Sequence, residues 1–177
     1  RQWAVNLIGY DALTSFGSPS YYVQKLFSNP RGNVVLPASF DPLPQLSLDQ
    51  IPVAPAPPPP PGRAGAPARG GRGPQGPTGP FDGLYTSATR DTATGDVILK
   101  LVNVQSTPQA LRVDVKGVPS IAKEASGEML TGALDAVNTV AEPRKVVPVP
   151  VTIHDAGTTF THELPAHSVT VLRLKTR

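Results

Sequence analysis

Twenty-nine consecutive residues, Pro52 to Pro80, hold 11 of the chain's 22 prolines and seven of its 16 glycines. No stretch of this kind can join a packed core. Proline fixes φ and gives up a backbone donor, and "APAPPPPPGRAGAPARGGRG" offers almost no apolar side chain to bury. The tract therefore divides the 177 residues into two unequal pieces with a disordered or polyproline II linker between them, at residues 52–80. "GPQGPTGP" is too short a run of triplets for a triple helix, and "ARGGRG" reads as soluble linker composition rather than an RNA-binding element.

The first piece opens "RQWAVNLIGYDALTSFGSPSYYVQKLF". Asn6 to Tyr10 reads as a short buried strand. Ser18 is placed to cap a helix, with Pro19 at its first position. Tyr22, Val23, Leu26 and Phe27 then fall on one helical face, and Asn29-Pro30 ends it. Strand, loop and helix make one β/α unit over residues 1–33, which cannot bury itself. Its apolar helix face must find a partner or stay exposed and invite a homo-oligomer. Residues 34–51 form an extended connection, because Pro37, Pro42 and Pro44 rule out helix and argue against a central strand.

From Phe81 to Arg177 the pattern is β. "LYTSATRD" and "VILKLVNV" flank a "TATGD" turn, and Leu111, Val113 and Val115 alternate with Arg112, Asp114 and Lys116. "KVVPVPVTI" puts Val147, Val149, Val151 and Ile153 on one face, and its prolines make it an edge strand. Phe160–Leu164 and "SVTVLRLK" complete five or six short strands, the signature of an antiparallel β-sandwich over residues 81–177. "GEMLTGALDAVNTVAEP" shows no period and reads as a long structured loop.

Charge excludes more than it suggests. The net charge is +3, and Arg63, Arg69 and Arg72 of the tract account for all of it. No folded face is basic in the way a nucleic-acid surface would be, so no nucleic-acid partner is expected. There is no cysteine, hence no disulfide and no thiolate metal site. This suits a cytosolic protein and a bacterial exported one equally, so the compartment stays open. No apolar run reaches the ~20 residues of a membrane span. His154, His162 and His167 read as strand histidines rather than an open zinc site, and no phosphate loop or Ser-His-Asp order is present.

"NLIGYDALTSFGSPSYYVQKLF" resembles the last strand and helix of the catalytic barrel of glycoside hydrolase family 51, the α-L-arabinofuranosidases. "EMLTGALDAVNTVAEPRKVVPV" and "LPAHSVTVLRLK" resemble that family's C-terminal β-sandwich, and the Asn138-Thr139…Pro143…Lys145-Val146-Val147-Pro148 spacing is its most specific part. The resemblance covers roughly residues 3–40 and 83–175. It implies a C-terminal fragment that starts inside the eighth β/α unit of a barrel, with the proline tract inserted between barrel and sandwich.

The parent would then be a retaining glycosidase, with no cofactor, releasing terminal arabinofuranose from arabinan or arabinoxylan. Its two catalytic glutamates would lie upstream of Arg1, leaving this chain inactive alone and dependent on the missing barrel. Glu124 and Glu128 read as surface charge. Barrel active sites open at the C-terminal ends of the strands, which puts Tyr10, Asp11 and Thr14–Ser18 at the rim of an arabinose pocket. Trp3, Tyr10, Asp11 and Ser18 are the candidate substrate-side residues. The amide side chain that some family members present from this loop has no match at Gly17 or Ser18. Two other classes stay open: a carbohydrate-binding module acting alone, and a structural or assembly protein. After residue 80 only Phe81, Tyr85 and Phe160 are aromatic, which is little for a sugar-binding row.

Overall fold

The computed structural model describes residues 7–47 and 80–177. Trp3 and the proline tract, Pro80 apart, lie outside the described residues.

The sandwich follows from the apolar pattern of its strands. Leu84–Arg90 (β6) and Val97–Asn103 (β7) form a hairpin closed by the turn at residues 91–96. There Asp91 accepts from the Gly95 N–H at 2.7 Å, and Gly95 sits at φ +79°, where a Cβ would be strained. Ser168–Leu174 (β12) lies against β7, and Ala125–Thr131 (β9) lies on the other side of β12. Val149–Ile153 (β10) closes one edge and Val34–Leu36 (β3) the other. The resulting antiparallel sheet has the order β10-β9-β12-β7-β6-β3.

The centre of this sheet is covered on both faces, which is why β7 is apolar on successive residues apart from Lys100. On one face Leu84, Leu99, Leu101, Leu172 and Leu174 pack with Phe160 and Leu164. Those two residues come from the ribbon of Gln109–Asp114 (β8) and Thr159–Leu164 (β11), and Leu111 and Val113 complete the layer. On the other face Ile98, Leu130, Val146 and Val171 pack with Leu26 of the helix Pro19–Ser28 (α1). Tyr22 and Val23 flank Leu26 there. Leu26 of the apolar helix face is thus occupied within the chain, while Phe27 stays 37% exposed.

Buried polar groups tie the layers. Asn103 donates from Nδ2 to the carbonyls of Thr107 (2.9 Å), Leu164 (3.3 Å) and Pro165 (2.9 Å), and accepts from the Gln105 N–H at 3.0 Å. Arg173 Nη1 lies 2.9 Å from Oδ2 of the buried Asp96.

Three expectations change. Residues 34–46 are not only a connection. Val34–Leu36 adds an edge strand against Arg90–Ala88, and Gln45–Leu46 (β4) pairs with Phe81–Asp82 (β5). Pro37, Pro42 and Pro44 fall between these two short strands, where no ladder bond is asked of them. "GEMLT" belongs to β9 and is not loop. Finally, Ile8–Tyr10 (β1) is exposed rather than buried, because among the described residues it pairs only with Ser15–Gly17 (β2).

Candidate functional site

The β1–β2 hairpin stands at the N-terminal end of α1, and its loop holds the candidate residues. Asp11 closes the loop. Its Oδ1 accepts from the Leu13 N–H (2.9 Å), the Thr14 N–H (2.7 Å) and the Thr14 hydroxyl (2.9 Å), and its own N–H donates to Thr14 O at 2.9 Å. These bonds, the Leu13 and Thr14 amides first, hold the carboxyl below its ordinary pKa and keep it ionised. Tyr10 is 71% exposed beside it. Gly9 faces Phe16 across the hairpin, and the Phe16 ring lies so close over it that a Cβ there would clash.

Ser18 turns the hairpin into the helix. Its N–H donates to Leu7 O at 2.8 Å and its hydroxyl accepts from the Tyr21 N–H at 3.2 Å, an N-cap with Pro19 following. The sequence expectation of the cap holds, and the cap bond occupies the hydroxyl. The structure brings Tyr10 and Asp11 together at the hairpin tip and puts Ser18 at its base. Trp3 falls outside the described residues.

Beside the hairpin lies a cleft of about 440 Å³. Ile8, Phe16, Gly17, Tyr21 and Tyr22 line it, together with Pro143 and Arg144. Tyr21 and Tyr22 meet edge to face, their centroids 5.2 Å apart. Arg144 and Tyr22 also line a smaller cleft of about 180 Å³ with Lys25 and Glu128.

Two residues that sequence reading gave no role hold this corner to the sandwich. Asn138 is 5% exposed. Its Nδ2 donates to Gly17 O at 2.8 Å and Val146 O at 2.9 Å, and its Oδ1 accepts from the Val146 N–H at 2.7 Å. At the far end of α1, Lys100 is 7% exposed and donates from Nζ to Phe27 O at 2.6 Å, with the Phe27 ring centroid 5.4 Å away. A cation at a helix C-terminus meets the negative end of the helix dipole. Burial pulls the ammonium below its usual pKa. The signal for Lys100 was visible as a lone lysine in "VILKLVN"; Asn138 stood out only through the family resemblance, which gave it no role.

No group of three His, Cys, Asp or Glu side chains forms a metal site among the described residues, so His154, His162 and His167 do not assemble one. No described helix is long and apolar enough to cross a membrane. Of the three aromatics after residue 80, Phe160 is core, Phe81 half-buried and Tyr85 exposed, so no sugar-binding row forms.

Comparison with known proteins agrees with this architecture. An arabinose-bound family 51 α-L-arabinofuranosidase superposes with a TM-score of 0.72 at 28% identity, over 99% of this chain and 22% of its own. The family 51 arabinofuranosidase of Xanthomonas axonopodis pv. citri shares the fold, with a TM-score of 0.65 at 24% identity over 96% of this chain and 28% of its own. The extracellular exo-α-L-arabinofuranosidase of Streptomyces chartreusis is 39% identical over 89 residues, half of this chain. The chain spans about a tenth of that relative's length. The family described as the α-L-arabinofuranosidase C-terminal domain matches residues 3–168, across hairpin, helix and sandwich alike. The chain belongs to the α-L-arabinofuranosidase C-terminal domain family.

Proposed function

We propose that this chain is the C-terminal part of a retaining α-L-arabinofuranosidase that removes terminal arabinofuranosyl residues from arabinan or arabinoxylan. On this reading residues 1–33 are the last unit of its barrel and residues 81–177 a structural sandwich. The observation that carries the reading is the continuous family match over residues 3–168, which joins the hairpin–helix corner to the sandwich as one unit. The exposed Leu7, Ile8, Tyr10 and Leu13 support it, since they are apolar surface of the kind a preceding barrel would cover.

The rim of the sugar pocket then belongs to Tyr10, Asp11 and Ser18. Asp11 contributes through the loop shape its Oδ1 fixes, while Oδ2, which takes no bond from the described residues, is left for a sugar hydroxyl. Ser18 contributes by setting the corner, and Trp3 is a stacking ring. The chemistry itself needs two carboxyls about 5–5.5 Å apart across the sugar. Several acids of this chain have structural work instead. Asp96 pairs with Arg173, Asp114 with Arg112 and Thr159, and Glu142 with Lys145.

The chain alone should therefore release no chromophore from an aryl α-L-arabinofuranoside at neutral or mildly acid pH. Turnover that a single Glu or Asp substitution within residues 1–177 abolishes would put the catalytic pair in this chain and end the reading.

A further inference from the structure

The two ends of α1 are held by side chains from distant parts of the sandwich. Asn138, in the β9–β10 connection, takes Gly17 O immediately before the N-cap. Lys100, in the middle of β7, takes Phe27 O in the last turn. Between them Leu26 fills the sheet face formed by Ile98, Leu130 and Val171. A covering apolar contact alone would let a ten-residue helix slide or fray. Two directed bonds at opposite ends fix its rotation and its axial position.

We infer that Asn138 and Lys100 are positioning residues through which the sandwich sets the β2–α1 corner, and with it the hairpin that carries Tyr10 and Asp11. Asn138 is the more informative of the pair. Its amide donates twice and accepts once, all to backbone, so the β9–β10 connection and the corner share one buried group. The same connection brings Pro143 and Arg144 to the cleft that Tyr21 and Tyr22 also line, so a shift at Asn138 reaches that cleft through the connection as well as through the corner. The sandwich is then more than a covering domain: it orients substrate-side residues. This rests on the proposed rim role of the hairpin, but the latch itself can be tested without sugar.

Amide hydrogen exchange of the 177-residue chain, read residue by residue, is the test. Asn138→Asp keeps size and the acceptor for the Val146 N–H but removes both donors at neutral pH. Protection at Ser18 and Tyr22, whose amides donate to Leu7 O and Ser18 O, should fall by about tenfold or more. Leu99 and Leu172, in the paired β7 and β12, should keep theirs. Lowering the pH until the introduced carboxyl is protonated restores one donor, so protection at Ser18 should partly return, which no loss of packing would produce.

Unchanged protection at Ser18 overturns the inference, and so does an equal loss at Ser18, Leu99 and Leu172. If Asn138→Asp does not fold, Lys100→Met asks the same question at the other end. The Asn29 amide, bonded to Lys25 O, should lose protection while Leu172 holds, and no change there overturns the inference. Failure of Tyr10 or Asp11 to meet sugar would leave these outcomes unaffected and count only against the rim role.

Discussion

At Thr170 the middle of β12 buries a hydroxyl completely, and Oγ1 has no partner among the described residues. An unmade buried hydrogen bond costs about 1–3 kcal/mol. Thr170→Val keeps the shape and removes the orphan, so thermal midpoints should stay level or rise; a clear fall would mean that the hydroxyl is bonded in solution. His162 is a second case. It lies on the inward side of β11 with Phe160 and Leu164, and its Nε2 is buried without a described partner. Burial lowers its pKa below 6.5, and the neighbouring Glu163 opposes this only in part. The unfolded chain then binds more protons than the folded one, so stability rises with pH. The contribution is complete above about pH 6.5 and is lost as pH falls toward the lower folded value. Denaturation midpoints between pH 7 and 5 should fall more steeply in the unmodified chain than in His162→Gln. Equal slopes would assign the pH dependence elsewhere.

At the scale of elements, α1 shows how far local signals reach. Ser18, Pro19 and the spacing of Tyr22, Val23, Leu26 and Phe27 made the helix, its cap and its apolar face legible. What they faced was not legible, because a helix pattern names no partner. Leu26, 2% exposed, now shares a core with Ile98, Leu130, Val146 and Val171. Leu26→Ala should cost on the order of 2–5 kcal/mol, and helix and sheet signals should melt together at the lower midpoint. An early helix transition with the sheet's midpoint unmoved would show that the two do not share a core. Ser18→Ala should cost about 1 kcal/mol through the lost cap, read as a smaller shift of the same transition.

The strands follow the same logic. β8 was legible from Leu111 and Val113 because only one of its faces is covered. β9 was hidden because its buried residues split between faces: Ala125 packs toward the ribbon and Leu130 toward α1, which breaks the alternation. β3 was hidden by its length, three residues, and by Pro37, Pro42 and Pro44 just after it, which made the whole segment read as a connection. Of the candidate site, the hairpin tip was legible through the family resemblance. The polar latch was not, since a bond between Asn138 and Gly17 spans 121 residues of sequence.

On the scale of the whole molecule, two kinds of surface sit at different places. The sandwich has its own core: the centre of its sheet is covered on both faces, and its β10 edge carries Pro150. The hairpin is open, with Leu7, Ile8, Tyr10 and Leu13 exposed at the corner that the sandwich holds. A self-contained carrier domain joined to an uncovered apolar corner suits completion of a barrel built by other residues. The most direct measurement mixes this chain with the first seven β/α units of a family 51 arabinofuranosidase barrel. Complex formation and release of chromophore from an aryl α-L-arabinofuranoside are then followed together. Stoichiometric binding with turnover that neither part shows alone is the expected result, and Asn138→Asp should lower the turnover. A complex that forms and stays silent, or turnover by this chain without the barrel, would contradict it.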